Sequence, residues 1–192
     1  ITKGSIAALA QESNASLAET FLGADAVILI DMSGSMGAYD SPPDEQLEFG
    51  KTPQMRSRYD AAEDELKRLQ EKLPGKVAVV AFSSWPQFEP GGVPTRLGGG
   101  TDMAKALEFV LPVDDTGVRI ILISDGYPDD ERQTLAVARK FKSQIDCIFI
   151  GPEGESGQEF LKQLADATGG RAFKSNSPGL LKGAVEHLLL SS

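Results

Sequence analysis

Three oxygen-bearing side chains, those of Asp31, Ser33 and Ser35, stand at alternate positions directly after an apolar run, Ala26–Ile30. A short, continuous apolar run of this kind is typical of a buried strand. Gly34, between the two serines, allows the chain to bend, and the alternation brings both hydroxyls to one side. The sequence therefore predicts a cluster of polar groups at the end of a core strand.

Two further oxygen donors stand at comparable positions. Asp125 follows an apolar run that ends at Ser124, and Thr101 follows three consecutive glycines at 98–100. In doubly wound sheets, ligands bind where neighbouring strands send their connections to opposite faces. If the strands that carry Asp31 and Asp125 are neighbours at that point, the two carboxylates face each other. Such a pair needs water or a cation between its members.

The donor set indicates the kind of cation. All of the candidate side chains offer oxygen, and no histidine or cysteine joins them. A hard cation such as Mg²⁺, Mn²⁺ or Ca²⁺ is therefore favoured over zinc or copper. The candidate metal ligands are Asp31, Ser33, Ser35, Thr101 and Asp125.

Each of these segments also has an ordinary structural explanation. Asp31 with the serines and glycines after it can form a turn and a helix cap, and Asp125 with its following glycine can form a turn. Thr101 can cap a helix. The ordered combination of all three favours metal binding over three separate coincidences. Asp102 is interpreted as an acid that stabilises a helix start rather than as a ligand.

The elements that must position these residues alternate between strand-like and helix-like segments. This alternation predicts an α/β domain with a mainly parallel sheet. The apolar runs are continuous, as expected when helices cover both faces of the sheet. Residues Trp85–Leu97 hold three prolines, so they form at best an edge strand or a hairpin. The other predicted strands are Ala26–Ile30, Lys76–Phe82, Val118–Ser124, Ile145–Ile150 and Arg171–Lys174.

Capping residues and glycine or proline breakers predict the helices. Ser57, for example, precedes an apolar stripe that stops at Pro74. A polar loop, residues 37–55, separates the first strand from this helix and is far longer than a usual connection. The other predicted helices begin at Thr101-Asp102, Asp129-Asp130 and Gly157, with one before the first strand (Ser5–Phe21) and a last one after Ser177-Pro178.

The residues Asp31-Met32-Ser33-Gly34-Ser35, then Thr101, then Asp125-Gly126, resemble the metal-ion-dependent adhesion site of von Willebrand factor A-type domains. That motif is Asp-x-Ser-x-Ser, a distant Thr and a distant Asp, and all of its positions match here. The resemblance covers about Ala26–Leu190, and with the extra N-terminal helix predicted in 1–22 we expect one domain over residues 1–192. The 37–55 loop is longer than in the shortest members of the family and is expected beside the metal site. The resemblance implies a six-stranded, doubly wound sheet of order 3-2-1-4-5-6, with one antiparallel edge strand and helices on both faces.

The resemblance also implies roles for the matched residues. Ser33, Ser35 and Thr101 would bind the metal through their hydroxyls, while Asp31 and Asp125 would act mostly through water and hydrogen bonds. Neutral hydroxyl ligands leave the charge of a cation poorly compensated, so the cation can attract a carboxylate from outside. The expected function is non-enzymatic: binding of a protein partner that presents Glu or Asp to the metal.

Two other functions stay open at this point. An adaptor subunit working beside an AAA+ ATPase in a larger complex would use the same fold. A strand that ends in aspartate near Mg²⁺ also describes hydrolases of the haloacid dehalogenase (phosphatase) type, but these need a second aspartate where this chain has Ser33. A serine–histidine–aspartate triad is disfavoured because the only histidine, His187, lies among leucines in the last predicted helix.

Composition limits the possible partners and compartment. A net charge of −9 argues against a nucleic-acid surface. No apolar stretch approaches the roughly 20 residues that a membrane span requires. Cys147 is the only cysteine, which excludes an internal disulfide and a thiolate metal site and predicts a small core residue. This cysteine usage leans towards a reducing compartment, so a cytoplasmic location is predicted.

Overall fold

The computed structural model describes residues 21, 23–41, 55–152 and 154–175. Within these ranges, six strands form one sheet in the order β3-β2-β1-β4-β5-β6. The pair of β2 and β3 is antiparallel, and the other neighbouring pairs are parallel. The predicted fold class and strand order are therefore confirmed. The strands are β1 (Ala26–Asp31), β2 (Val77–Phe82), β3 (Pro86–Glu89), β4 (Arg119–Ser124), β5 (Ile145–Ile150) and β6 (Ala172–Ser175).

Four of the predicted helices fall within the described residues, and these lie where the capping signals predict them. The described ones are α1 (Arg58–Lys72), α2 (Met103–Val110), α3 (Glu131–Ala138) and α4 (Ser156–Thr168), with 3₁₀ turns at Gly34–Gly37 and Leu111–Thr116. The second of these turns was not predicted. None of the described helices is both long and apolar enough to cross a membrane.

Several predictions fall outside the described residues. They are the N-terminal helix up to residue 20, the central part of the long loop (residues 42–54) and the last helix with His187. The domain boundaries therefore stay predictions. The two described ends of the long loop meet each other, because Ser41 and Arg56 form an isolated antiparallel bridge.

Two apolar clusters lie on opposite faces of the sheet, and they explain why the strand sequences are continuous apolar runs. In β1, Val27 and Leu29 belong to one cluster, while Ile28 and Ile30 belong to the other. Helices α2, α3 and α4 cover the first face, and α1 covers the second. Because successive strand residues point to opposite faces, a strand buried on both sides needs an apolar residue at every position.

The helix starts show which polar residues serve as caps. Ser57 and Asp60 form a reciprocal capping box at the start of α1. Asp102 caps α2 by accepting a hydrogen bond from the Lys105 amide at 3.0 Å. The alternative explanation of Thr101 as a helix cap is therefore wrong, since the residue after it takes that role. Asp102 acts as the cap itself rather than as an acid within the first turn.

The single cysteine has the predicted position. Cys147 lies in β5 and is fully buried. Burial raises the pKa of its thiol above the ordinary value, so the unreactive thiol form is favoured. The prediction of a core residue is confirmed.

Candidate metal site

Asp31 ends β1 as a fully buried carboxylate. Its Oδ1 accepts a hydrogen bond from the Ser33 amide at 2.9 Å. Its Oδ2 accepts from the Ser124 hydroxyl at 2.6 Å, and that hydroxyl accepts from the Gly126 amide at 2.9 Å. Both carboxylate oxygens are thus held, and the side chain links the ends of the neighbouring strands β1 and β4.

The two serines of the motif lie side by side. The Oγ atoms of Ser33 and Ser35 are 3.1 Å apart. Ser33 is fully buried, whereas Ser35 is exposed. Tyr59 of α1 holds this turn, because its hydroxyl donates to the carbonyl oxygens of Met32 and Ser33. One hydroxyl therefore belongs to the protein interior and the other meets solvent.

The glycine-rich segment packs along this serine turn. The Gly34 amide donates to the Gly99 carbonyl at 3.0 Å, and the Gly98 amide donates to the Met32 carbonyl at 2.9 Å. Gly98 and Gly99 have φ angles of 64° and 81°, a region that L-residues with side chains seldom adopt. This close approach of the two backbones brings the segment that leads to Thr101 against the serines.

Thr101 is held by an acidic residue from a distant part of the chain. Its amide donates to Asp129 Oδ1 at 3.0 Å, and its carbonyl accepts from the Asp129 amide at 2.9 Å. A Cβ atom on Gly100 would lie 2.8 Å from Asp129 Oδ2, so a larger residue there would displace this carboxylate. Asp129 was predicted only as an acid at a helix start. In the structure it fixes the backbone of a candidate ligand.

Asp125 follows β4 and is fully buried. Its Oδ2 accepts a hydrogen bond from Arg58 Nη1 at 2.9 Å. Its Oδ1 is buried and has no hydrogen-bond partner among the described residues. Buried carboxylate oxygens are costly to leave unpaired, and such an atom in a folded protein often marks the place of a water molecule or an ion.

The two aspartates influence each other electrostatically. The pKa of Asp31 is raised from 3.8 to about 6, first by burial and then by the negative charge of Asp125. Hydrogen bonds from Ser124 and Ser33 oppose this rise without cancelling it. The expected proximity of the two carboxylates is thus confirmed, and a cation near them would relieve their repulsion.

These features fit a hard divalent cation. They combine an unpaired buried carboxylate oxygen with two hydroxyls 3.1 Å apart. Among the described residues, no group of three or more His, Cys, Asp or Glu side chains could hold a metal. A cation here would therefore need hydroxyl ligands, the role that the resemblance implies for Ser33, Ser35 and Thr101. The assignment of the five candidate residues as metal ligands stays a prediction.

The roles of several residues at this site were not predicted from the sequence. Ser124 stands directly before Asp125, so its position at the strand end was a usable signal. Arg58 and Asp129 contact residues that are 67 and 28 positions away. Only the three-dimensional arrangement brings these pairs together.

Comparisons with known proteins agree with this fold. No protein-family model and no curated protein sequence matches the chain. A von Willebrand factor type A structure from Catenulispora acidiphila has a TM-score of 0.60 and 20% identity, covering 86% of this chain and 42% of that one.

Two structures from Bacteroides species also match. The conserved hypothetical protein BatB from Bacteroides thetaiotaomicron has a TM-score of 0.57 at 17% identity, covering 88% of this chain and all (100%) of that chain. An aerotolerance-related membrane protein from Bacteroides fragilis, with multiple mutations to serines, has a TM-score of 0.61 at 15% identity and the same coverage of both chains, 88% and 100%. At these identities the similarity shows the fold, which is von Willebrand factor A-like.

Proposed function

We propose that this chain is a divalent-cation-dependent protein-binding module. Ser33, Ser35 and Thr101 would hold Mg²⁺ or a similar cation through their hydroxyls. Asp31 and Asp125 would support it through water and hydrogen bonds. The cation would supply positive charge for a Glu or Asp side chain of the partner. The observation that carries this proposal is the unpaired Oδ1 atom of Asp125, buried at the same end of the sheet as the paired serine hydroxyls.

The distribution of exposed apolar side chains supports a protein partner. The large apolar residues that are exposed among the described residues are Tyr39 (72%), Met55 (52%), Trp85 (69%) and Tyr127 (42%). Tyr39, Trp85 and Tyr127 follow the carboxyl ends of β1, β2 and β4, the edge of the sheet that carries the candidate ligands. Aromatic residues are enriched at protein interfaces. The cation and the aromatic side chains would then serve one binding face.

The adaptor role and the location in the cell are separate parts of the proposal. A role as an adaptor in a larger complex and a cytoplasmic location remain predictions, because the compared structures share only the fold. A hydrolase remains the weaker candidate. Ser33 stands where the phosphatase mechanism needs an aspartate, and its hydroxyl lies against that of Ser35.

Titration with Mn²⁺ tests the metal site directly. We expect the wild-type protein to bind one Mn²⁺, detected by electron paramagnetic resonance, and to lose it to excess Mg²⁺. Thr101→Ala should weaken binding by at least about tenfold, which corresponds to ~1.4 kcal/mol. Thr134→Ala is the matched control, since Thr134 is also buried but its hydroxyl donates to the carbonyl of Asp130, the N-cap of α3. Equal affinities of the two variants would refute the assignment of Thr101.

A displayed peptide library tests the partner chemistry. Selection in Mg²⁺ should enrich peptides that contain Asp or Glu, and replacing that residue by Asn or Gln should abolish binding. Addition of EDTA should release the peptides. Selection of the same peptides in the presence of EDTA would contradict a metal-dependent mode of binding.

A further inference from the structure

Arg58 lies at the junction of four parts of the chain. It begins α1, and its side chain is only 5% exposed. Its Nε and Nη2 donate to Asp40 Oδ1 and Oδ2 at 2.9 and 2.5 Å. Its Nη1 donates to Asp125 Oδ2 at 2.9 Å, and its Nη2 lies 3.7 Å from Glu155 Oε2. One guanidinium group therefore serves three carboxylates at the edge of the candidate site.

The matched motif gives no role to this arginine. From the geometry of Arg58, we infer that its positive charge neutralises the site when no metal is bound. Arg58 thereby sets the affinity of the site for a divalent cation. It neutralises Asp125 when no metal is bound, through Oδ2, and it leaves Oδ1 for a cation or its water. This inference rests on the proposed metal site and adds a means by which the chain controls it.

Burial explains why a counter-charge is needed. Asp31 and Asp125 are both fully buried, and a buried charge without a partner is strongly destabilising. The planar guanidinium is anchored on both oxygens of Asp40, so its remaining arm is already oriented towards Asp125. The metal-free site is thus held together by Arg58.

A divalent cation and Arg58 then share the same carboxylate. A bound cation supplies the positive charge that Arg58 supplies in its absence, while the guanidinium repels the incoming ion. Loss of Arg58 should therefore destabilise the metal-free protein more than the metal-bound protein. Because the two equilibria are linked, the same loss should increase the affinity for the metal.

Arg58→Met provides the test, with Mg²⁺ affinity measured by calorimetry and thermal unfolding measured in EDTA and in Mg²⁺. We expect a lower unfolding midpoint in EDTA, a larger Mg²⁺-induced rise of that midpoint, and Mg²⁺ binding tighter by at least about fivefold. Arg58→Lys keeps the charge but cannot hold both oxygens of Asp40, so its Mg²⁺ affinity should lie between those of wild type and Arg58→Met. A merely structural role would weaken binding or leave it unchanged, and either result would overturn the inference.

Arg56→Met is the matched control, because Arg56 is a neighbouring arginine that pairs with Asp64 and not with the candidate site. Its Mg²⁺ affinity should equal that of wild type. A wild-type protein that fails to bind Mg²⁺ would refute the proposed site. Normal wild-type binding without tighter binding in Arg58→Met would refute only the role of Arg58.

A measurement on the wild-type protein covers the case in which Arg58→Met does not fold. The Arg58 side-chain N–H signals, observed by nitrogen-15 NMR, should shift and exchange faster with water as Mg²⁺ saturates the site. The reason is that Asp125 would then divide its charge between the guanidinium and the cation. Unchanged Arg58 signals at saturating Mg²⁺ would overturn the inference.

Discussion

At the scale of single residues, Asp31 combines full burial with the proximity of a second carboxylate. Its pKa in the folded protein, about 6, exceeds the ordinary value of 3.8. The folded protein therefore holds this proton more tightly than the unfolded chain does. The resulting stabilisation is complete below about pH 3.8 and is lost as the pH rises through about 6.

This behaviour predicts a pH-dependent difference between wild type and Asp31→Asn. In EDTA, the free energy of unfolding of wild type relative to the variant should fall by up to about 3 kcal/mol between pH 4 and pH 7, because one pKa unit corresponds to ~1.4 kcal/mol. Urea unfolding at several pH values measures it. Asp166→Asn, which alters a carboxylate that is 62% exposed, serves as control. A constant difference between wild type and Asp31→Asn across this range would contradict the prediction.

The residues of the site differ in how far the sequence could reveal them. Asp31, Ser33 and Ser35 are close in sequence and follow a readable apolar strand, so their grouping could be predicted and is observed. Arg58 and Asp129 contact the site across long separations in the chain. Their roles depend on the packing of helices against strand ends, which side-chain type and local spacing do not encode.

At the scale of elements, the start of α4 packs backbone against backbone on the end of β4. A Cβ atom on Gly157 would lie 2.0 Å from the Asp125 carbonyl oxygen, and one on Gly126 would lie 2.0 Å from the Gly157 carbonyl oxygen. Gly126 also has a φ angle of 80°. The helix can approach Asp125 this closely only because neither glycine carries a side chain.

Gly157→Ala should therefore disturb both stability and the candidate site. Displacing α4 should cost about 1–3 kcal/mol of unfolding free energy, as overpacking does in other proteins. It should also weaken Mn²⁺ binding, since Asp125 would move with the strand end. Gly91→Ala is the control, because a Cβ atom there meets nothing within 4 Å. Urea unfolding and Mn²⁺ titration measure the two effects, and wild-type values for Gly157→Ala in both would contradict this account.

The elements themselves could be predicted well because their signals are local. The apolar run of β1 and the Ser57 cap of α1 are each readable within a few residues. The 3₁₀ turn Leu111–Thr116 was missed because its stability comes from a distant contact. Asp114 within it accepts hydrogen bonds from the amides of Lys142 and Ser143, at 2.7 and 2.9 Å.

At the scale of the whole molecule, the sheet separates two apolar clusters that have no side chain in common among the described residues. Ile120 of β4 belongs to the cluster under α2, α3 and α4, and Ile148 of β5 belongs to the cluster under α1. Both side chains are almost fully buried, at 1% and 0% exposure. Changes on one face should therefore have little effect on packing at the other.

The substitutions Ile120→Val and Ile148→Val test this separation. Each should lower the unfolding free energy by about 0.5–1.5 kcal/mol through the loss of one buried methylene. In the double variant the two losses should add within about 0.5 kcal/mol, as is usual for sites without shared contacts. Denaturant unfolding of the four proteins measures the coupling. A larger coupling energy would mean that the packing of the two apolar clusters is not independent.

The antiparallel strand β3 has a consequence for how copies of the molecule meet. It has four residues and begins with Pro86, which is paired with Phe82 and has no N–H group to donate. A strand from another molecule could pair with only four residues here, and one of them has no backbone donor. Natural sheets use short edge strands and proline in this way to discourage edge-to-edge pairing. This edge is thus a poor template for pairing with a strand of a second copy.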